Sequence, residues 1–572
     1  MLNHPTFGEV PPVTGGGDPL GTAPINEMLY RTTFPGINNV VRYIRVYTAI
    51  CWMVRQIADT AAKNKQADLV ELTKTGMEKI QLLLTWYNWG EGVKNLAGNG
   101  RTFRKDGIPV ELRFQSLLDN AARIARELDA DAQVSDGAHF LNPAQYRPGL
   151  FRGFAFIGES GLLPGTYHLT EGGQQLADSY EEAITGHDWR GWLADLTETR
   201  ASYEEVKQMQ DLLDLQSPSI PEKNAFLTHY YPVANYTREI PNWRNRHAGI
   251  TLALRALAAE TGPDSFSNGR AVTVATIRQT MARGVARNGK PLDLTNLESI
   301  HGIWSSLQIR QCFRKAMDIL MRHTESWIKD AEINQRPRSI LDCAEGIGAK
   351  LADALPPEHS SLVEEALDDY VELRGKFPTM GAAAPTVPEL RLQSFINRMR
   401  ETENFGQHTP EETASLQYAY YALVFCVLEV ESLSLNPRFL LRHKGSEDLP
   451  LAPFFRMVRE FQNRPPAELM AHIIQYYVVA QHFKVMRRRT DDFHNRFRFM
   501  NGDDGLERAL NAKDLYGPNE LEDLLEHALY LLAQCGLAKL DEGNRIAITD
   551  AGAIRLANYV LPLQEEQLKA AA

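Results

Sequence analysis

The sequence predicts a mainly α protein: multi-domain helical bundles joined to one or two small modules that carry short β-hairpins. Three observations predict it. Apolar residues recur at three- and four-residue steps over most of the chain. Several of those runs begin with residue combinations that satisfy the free amides of a helix start. Two segments break the helical period in the same way, each with a short alternating stretch followed by a Thr, an acid and a Gly. At 572 residues the chain exceeds what one hydrophobic core supports, so three or four domains are expected.

From Ile25 to Lys63 the residues Ile37, Val40, Val41, Ile44, Ile50, Met53, Val54 and Ile57 keep the helical step, and Pro35-Gly36 breaks it. Two helices meeting at a sharp turn follow from that. A further helix is expected from about Asp68 to Trp89. Leu96 to Pro109, with Gly98-Asn99-Gly100 and Asp106-Gly107, reads as a loop or hairpin. Ser202 with Glu205 makes a capping-box pattern, and Thr409-Pro410-Glu411-Glu412 puts a proline at the first helical position. Long helical patterns cover about Leu294 to Ala331, Glu389 to Glu401 and Pro466 to Arg489, while Lys376 to Pro388 has the composition of a linker. Thr413 to Leu428 is uncharged over 16 residues, short of the roughly 20 that a membrane span needs. Glu429 and Glu431 follow at once, so this run is expected to be a buried core helix. The division that results is a helical domain at 1–110, a hairpin-bearing module at 111–200, a helical domain at 201–375, a linker at 376–388, a helical domain at 389–510 and a second hairpin-bearing module at 511–572.

The two breaks in the helical pattern share an order. In the first, Gly161-Leu162-Leu163 precedes Tyr167-His168-Leu169-Thr170-Glu171-Gly172-Gly173. In the second, Gly536-Leu537-Ala538 precedes Ile546-Ala547-Ile548-Thr549-Asp550-Ala551-Gly552. The glycine allows the left-handed residue that stops a helix, and the Thr hydroxyl caps the next helix while the acid suits its positive end. This order of helix, small β-wing and capped helix resembles the last part of a winged-helix domain, a helix-turn-helix variant. A hairpin joining two helices of an unrelated fold remains the alternative for both copies.

The 61 basic and 72 acidic side chains leave a formal charge of -11, which argues against a surface coated for nucleic acid, so any such contact is local. The five cysteines are scattered without metal-binding spacing and read as reduced thiols. Met1 to Asp18 lacks a basic start with an apolar run, so a cytoplasmic location is expected. A winged helix that reads DNA brings basic side chains to the phosphates. Between Asn519 and Cys535 the helix before the C-terminal wing instead carries Glu520, Glu522, Asp523 and Glu526 and no Lys or Arg. Leu521, Leu525, Glu522 and Glu526 are therefore candidate protein-docking residues. Near the first copy, Arg147 and Arg152 are either phosphate contacts or a solvated face.

The strongest basic cluster comprises Lys484, Arg487, Arg488, Arg489, Arg496 and Arg498, interleaved with aromatic residues that include Phe497. Cations beside aromatics suit a nucleic-acid backbone with stacked bases. A helix C-terminus whose arginines complement the dipole and pair with Asp491 and Asp492 explains the same residues. Gly346-Ile347-Gly348-Ala349-Lys350 lacks phosphate-loop spacing, and Asp342, Glu345 and Lys350 have no strands to present them as a nuclease site. His4, His139, His168, His187, His301 and His323 stand apart from one another and from paired acids. No catalytic residue, metal site or cofactor is assigned, and the enzyme question leans to no.

At the N-terminus, Asp18-Pro19-Leu20-Gly21, Phe34-Pro35-Gly36, Arg42, Arg45 and Cys51-Trp52 follow one another. This opening resembles that of uncharacterised bacterial proteins encoded beside helicases and nucleases in antiviral defence islands. The family's closely spaced Arg-x-Arg-Tyr appears here as Arg42-Tyr43-Ile44-Arg45-Val46-Tyr47. The resemblance covers about 40 residues and implies membership of a multi-gene defence system. Arg42 and Arg45, three apart, are candidates for binding an anion or an acidic partner, with a structural salt bridge to Asp18 or Glu27 as the alternative. The function expected is a non-catalytic scaffold or adaptor acting through protein subunits and, where it touches nucleic acid, DNA. A DNA-binding regulator or nucleic-acid sensor, and a kleisin-like subunit of a coiled-coil ATPase complex, are the other readings.

Overall fold

A computed structural model describes residues 18–38, 40–93, 96, 107–113, 140–141, 145–232, 243–369, 395–397, 410–434, 449–490, 496–509, 515–517, 523–541 and 543–557. The chain is mainly α. It divides into two compact units, each assembled from two stretches: Met1–Tyr30 with Ala275–Leu521, and Arg31–Val274 with Glu522–Ala572. The expected linker at 376–388, most of the expected loop at 96–109 and most of the helix expected at Glu389 to Glu401 lie outside the described residues.

In the Arg31–Val274 unit the expected early helices form at Ile44–Lys63 and Leu69–Gly90, after a turn at Pro35-Gly36 in which Gly36 adopts a φ of 85°. Asp68 caps the second by accepting from the amides of Val70 and Glu71. The capping box of Ser202 and Glu205 forms as expected, and Ser219 with Glu222 makes another. Tyr47, Phe154, Phe156, Phe226 and Tyr230 pack edge-on and tilted into one aromatic core. Against it lies the fully buried Arg246 of the helix Trp243–Glu260. Its Nη1 donates to the carbonyls of Pro35 and Gly153 at 2.9 and 2.8 Å, and its Nε and Nη2 to those of Tyr230 and His229 at 3.4 and 3.1 Å. The guanidinium also lies over the Phe154 ring at 4.4 Å. Buried carbonyls without a partner are costly, and this one cation serves three chain segments at once.

Both hairpin segments form, and their local geometry is the same. Ile157–Glu159 pairs with Tyr167–Leu169, and Ala538–Leu540 with Arg545–Ile548, all antiparallel. Each hairpin follows a residue of positive φ, Ala155 at 51° and Gly536 at 79°. In the first, Thr170 donates its amide to Phe156 O and its hydroxyl to Ala155 O; in the second, Thr549 donates its amide to Leu537 O and its hydroxyl to Gly536 O. The same hydroxyls accept from the amides of Gly173 and Gly552. A Cβ on Gly173 would lie 2.1 Å from Phe156 O, and one on Gly552 2.0 Å from Leu537 O, so the third residue after each Thr must be glycine for the helix start to press on the strand. A third strand, Val272–Thr273, joins the C-terminal hairpin on the Arg545–Ile548 side.

In the Ala275–Leu521 unit a helix of 36 residues, Glu298–Ile333, packs along the helix Pro410–Ser434. The latter contains Glu412–Glu431, which among the described residues is long and apolar enough to cross a membrane and lies mostly buried inside the fold. The run from Thr413 to Leu428 is thus a core helix, as its length suggested. Gly346 and Gly348 sit inside the helix Ile340–Ala354, where a Cβ would lie 2.4 Å from the Trp327 indole nitrogen and 2.5 Å from Ala467 O respectively. They admit neighbouring helices rather than a phosphate. The pattern from Pro466 to Arg489 is helical throughout, with a π-turn at Ile473–Val479 between Pro466–His472 and Ala480–Arg489.

Gly153 approaches Gly36 so closely that a Cβ there would lie 2.1 Å from Gly36 Cα. Gly153→Ala is therefore expected to lower stability by about 1–3 kcal/mol or more, read as a drop in thermal midpoint. An unchanged midpoint would contradict the packing described.

Candidate interaction surfaces

Neither of the two N-terminal arginines is open to an anion. Arg42 precedes the helix that begins at Ile44, so the two do not share a helix face. It pairs with Glu526 at 3.4 Å and lies over the Tyr530 ring at 4.4 Å. Arg45 is buried and binds Glu222 through Nε at 3.2 Å and Nη2 at 2.8 Å, while the carbonyls of Asp211, Asp214 and Ser217 take its remaining protons. Thr48 and the amide of Ser219 also donate to that carboxylate. Burial acts to raise the Glu222 carboxyl, and the Arg45 bonds outweigh it and hold it low. The structural salt bridge exists, with Glu222 and Glu526 as partners in place of Asp18 or Glu27.

The acidic helix forms at Leu524–Gln534 and does not present the expected docking face. Leu525 is fully buried, as are Leu529 and Leu532, and Glu526 is engaged by Arg42. Gln534 accepts from the amide of Ile44 and donates to Leu215 O, and His527 contacts Val41 O. The helix is thus spent on the chain's own residues. Leu521 and Glu522 lie outside the described residues.

The basic cluster separates into two kinds. Arg489 donates to the carbonyl and the carboxylate of Asp18 at 2.5 and 3.2 Å. Asp18 meanwhile accepts from the amides of Thr22 and Ala23 at the start of the first helix. Arg498 grips Glu325 at 2.6 and 3.1 Å. Both are structural, because each neutralises a mostly buried carboxylate. Phe497 packs against His482 and Phe483, and Arg496 is half-buried. Lys484, Arg487 and Arg488 are exposed on the helix Ala480–Arg489. Of the first hairpin's arginines, Arg147 pairs with Glu159 at 3.0 Å and Arg152 is exposed.

Distant residues do meet in ways the sequence hid. Ser415 Oγ lies 2.9 Å from His323 Nε2, and Glu412 Oε1 lies 3.5 Å from His323 Nδ1. The three follow the order of a hydrolytic triad, and Ser415 Oγ also lies 2.8 Å from Glu412 O, a carbonyl that competes with His323 for its one hydroxyl hydrogen. All three side chains are buried. Lys79, also buried, donates to the carbonyls of Trp192, Asp195 and Glu198 at 2.6–2.8 Å, and burial pulls its amine down to about 7. Asp342 caps its own helix through Ser339. Among the described residues no group of three or more His, Cys, Asp or Glu is placed to hold a metal.

One surface that sequence reading passed over is the tip of the first hairpin. Leu162 is 93% exposed and Leu163 47%. The tip is held in shape: Ser160 Oγ accepts from both leucine amides, Thr166 donates its amide and hydroxyl to Leu163 O, and Ser160 N donates to Thr166 O. The available signal was the pair of leucines between Gly161 and Pro164-Gly165, where a turn of this kind is ordinarily polar.

No protein-family model, no curated protein and no solved structure matches the chain.

Two predictions follow from the buried charges of this unit. Arg45→Met leaves Glu222 buried and unpaired, a loss of about 3–5 kcal/mol. Asp178→Ala breaks a pair with Arg55 in which the carboxylate is mostly exposed and is expected to cost under about 1 kcal/mol; equal losses in denaturant titrations would refute the distinction. Burial also pulls His247 down to about 3 and His527 to about 4. Their folded values lie below the usual 6.5, so the unfolded chain binds protons that the folded chain refuses. Stability is therefore full above pH 6.5 and falls as pH drops toward 4, by roughly 2 kcal/mol per histidine at pH 5. His247→Phe keeps the stacking on Tyr231 and should flatten the acid side of a plot of melting temperature against pH.

Proposed function

We propose that the chain is a non-catalytic scaffold or adaptor subunit that assembles with other proteins, in the setting its N-terminal resemblance implies, a bacterial antiviral defence complex in the cytoplasm. The observation that carries the reading is the preformed apolar tip at Leu162 and Leu163. A turn that spends four hydrogen bonds on fixing two water-exposed leucines has already met the ordering cost of a docking contact, and exposed apolar anchors of this kind suit an apolar recess on a partner protein.

The repeated hairpin geometry supports the same reading. A helix, a positive-φ residue, a short antiparallel pair and a Thr-capped helix occur twice in one unit, and the three-stranded sheet has the first-third-second order that a winged helix uses. We read both as winged-helix-like modules. The C-terminal one turns its acidic helix onto Arg42, Ile44 and Leu215, a use of the module for protein packing rather than for the major groove.

A tagged pull-down from native lysate, with and without nuclease, tests this. Partners in fixed stoichiometry that persist after nuclease and are lost from Leu162→Asp/Leu163→Asp are expected, with that variant's melting temperature unchanged. Partners retained by the variant would remove the tip from the proposal. Degradation of nucleic acid by the purified chain, abolished by a single acid-to-alanine change, would replace the adaptor with an enzyme.

A further inference from the structure

We infer that the aromatic surface formed by Phe461, His472, Tyr476 and Tyr477 binds a proline-rich segment of a partner protein that carries a basic residue, a contact of the Ala275–Leu521 unit separate from the leucine tip. The surface is built around the π-turn Ile473–Val479. In an α-helix a residue five positions on lies about 140° round from the first, so His472 would meet Tyr476 but not Tyr477. The wider i to i+5 turn brings both tyrosines back to it, with ring centroids at 4.6 and 6.2 Å. On the other side Phe461, which follows the helix Leu451–Glu460, lies 4.9 Å from His472. The buried Phe454 ring holds Tyr477 at 4.9 Å. Packing accounts for that tyrosine, but not for Tyr476, which is 52% exposed. A π-turn interrupts the regular helical ladder and recurs at functional sites; here it gathers rings at the surface.

The ring geometry favours proline. Phe461 and His472 meet at 45°, and His472 and Tyr476 at 42°, so the rings splay and leave shallow wedges between them. A polyproline II segment repeats every three residues and leaves its carbonyls to solvent. Its rings suit such wedges at little ordering cost, because the segment is extended before it binds, and the Tyr476 hydroxyl can donate to one of its carbonyls. The charges favour a basic ligand over nucleic acid. Arg464 lies 5.1 Å over the Phe461 ring and pairs with Glu468 at 3.6 Å. Glu460 is exposed, and its negative charge acts on both His472 and Tyr477. Burial outweighs that charge and holds the His472 imidazole below its usual value, so the ring is neutral at pH 7 and adds no cation. A phosphate backbone laid here would meet two carboxylates, whereas an arginine or lysine beside the prolines would meet Glu460.

The test is fluorescence anisotropy of a labelled polyproline peptide ending in arginine, titrated with the full chain. Saturable binding is expected. Tyr476→Ala should weaken it about tenfold with an unchanged melting temperature, because that ring is the exposed one. A peptide ending in glutamate should bind more weakly than the arginine peptide, and Glu460→Gln should narrow the difference. Leu162→Asp/Leu163→Asp should bind the peptide as wild type does, so the fate of the leucine tip is read apart from this surface. Absence of saturable binding, or equal affinity in wild type and Tyr476→Ala, would overturn the inference. So would oligothymidine displacing the label as well as unlabelled peptide does, which would make the surface a base-stacking site.

Discussion

The Arg31–Val274 unit depends on one buried cation. Arg246 gathers carbonyls from the Pro35-Gly36 turn, from Gly153 and from the end of the helix Ile220–Tyr230. Each lies where helical or sheet bonding has stopped, so each would otherwise be a buried acceptor without a donor. A guanidinium carries five N–H groups in a fixed fork, and only such a group can serve several ends from one point. The two glycines beneath it complete the constraint. Gly36 and Gly153 bring their backbones together more closely than any side chain allows, and this approach aims the Pro35 and Gly153 carbonyls at the same nitrogen. A lysine would supply the charge without the reach, and alanine at either glycine would part the strands of chain that the arginine joins.

Arg45 and Lys79 repeat the device. One ties the first long helix to the carbonyls of Asp211, Asp214 and Ser217 and to the start of the helix Ile220–Tyr230 through Glu222; the other caps three carbonyls between Trp192 and Glu198. The long helix of the other unit adds carboxylates in the same role. Glu325 takes Arg498 and the amide of Tyr516, while Asp318 accepts from the Tyr516 hydroxyl at 3.0 Å and burial raises it to about 6. Tyr516 is thus held by its amide and its hydroxyl at two turns of one helix. Such charges are costly to desolvate, and they persist where they specify which segment meets which.

Local features were legible in the sequence because they are governed by neighbours along the chain. The Pro35-Gly36 break, the Asp68 start, the Ser202 capping box and the burial of the uncharged run from Thr413 all follow from residues within a few positions of each other. So did the parallel between Thr170 and Thr549, whose clamps form alike. What stayed hidden depends on residues far apart. Nothing near Arg45 announces Glu222, nothing near Arg489 announces Asp18, and the strand Val272–Thr273 is too short to show an alternation before it pairs with Arg545–Ile548. The acidic helix illustrates the limit: its apolar face was assigned to a partner, whereas Leu525, Leu529 and Leu532 are buried in the chain's own core.

The same basic residue types therefore play opposite parts, and sequence clustering does not separate them. Arg487, Arg488 and Arg489 are adjacent, yet helical geometry sends consecutive side chains about 100° apart, so a run of three cannot share one environment. The residue whose direction meets the Asp18 carboxylate becomes a tie, while Arg487 and Arg488 are exposed on the helix surface. A basic run on a helix is in this sense two features, an anchor and an exposed face. The anchor fixes the orientation of the helix, and that fixed orientation is what gives the outward cations a constant spacing.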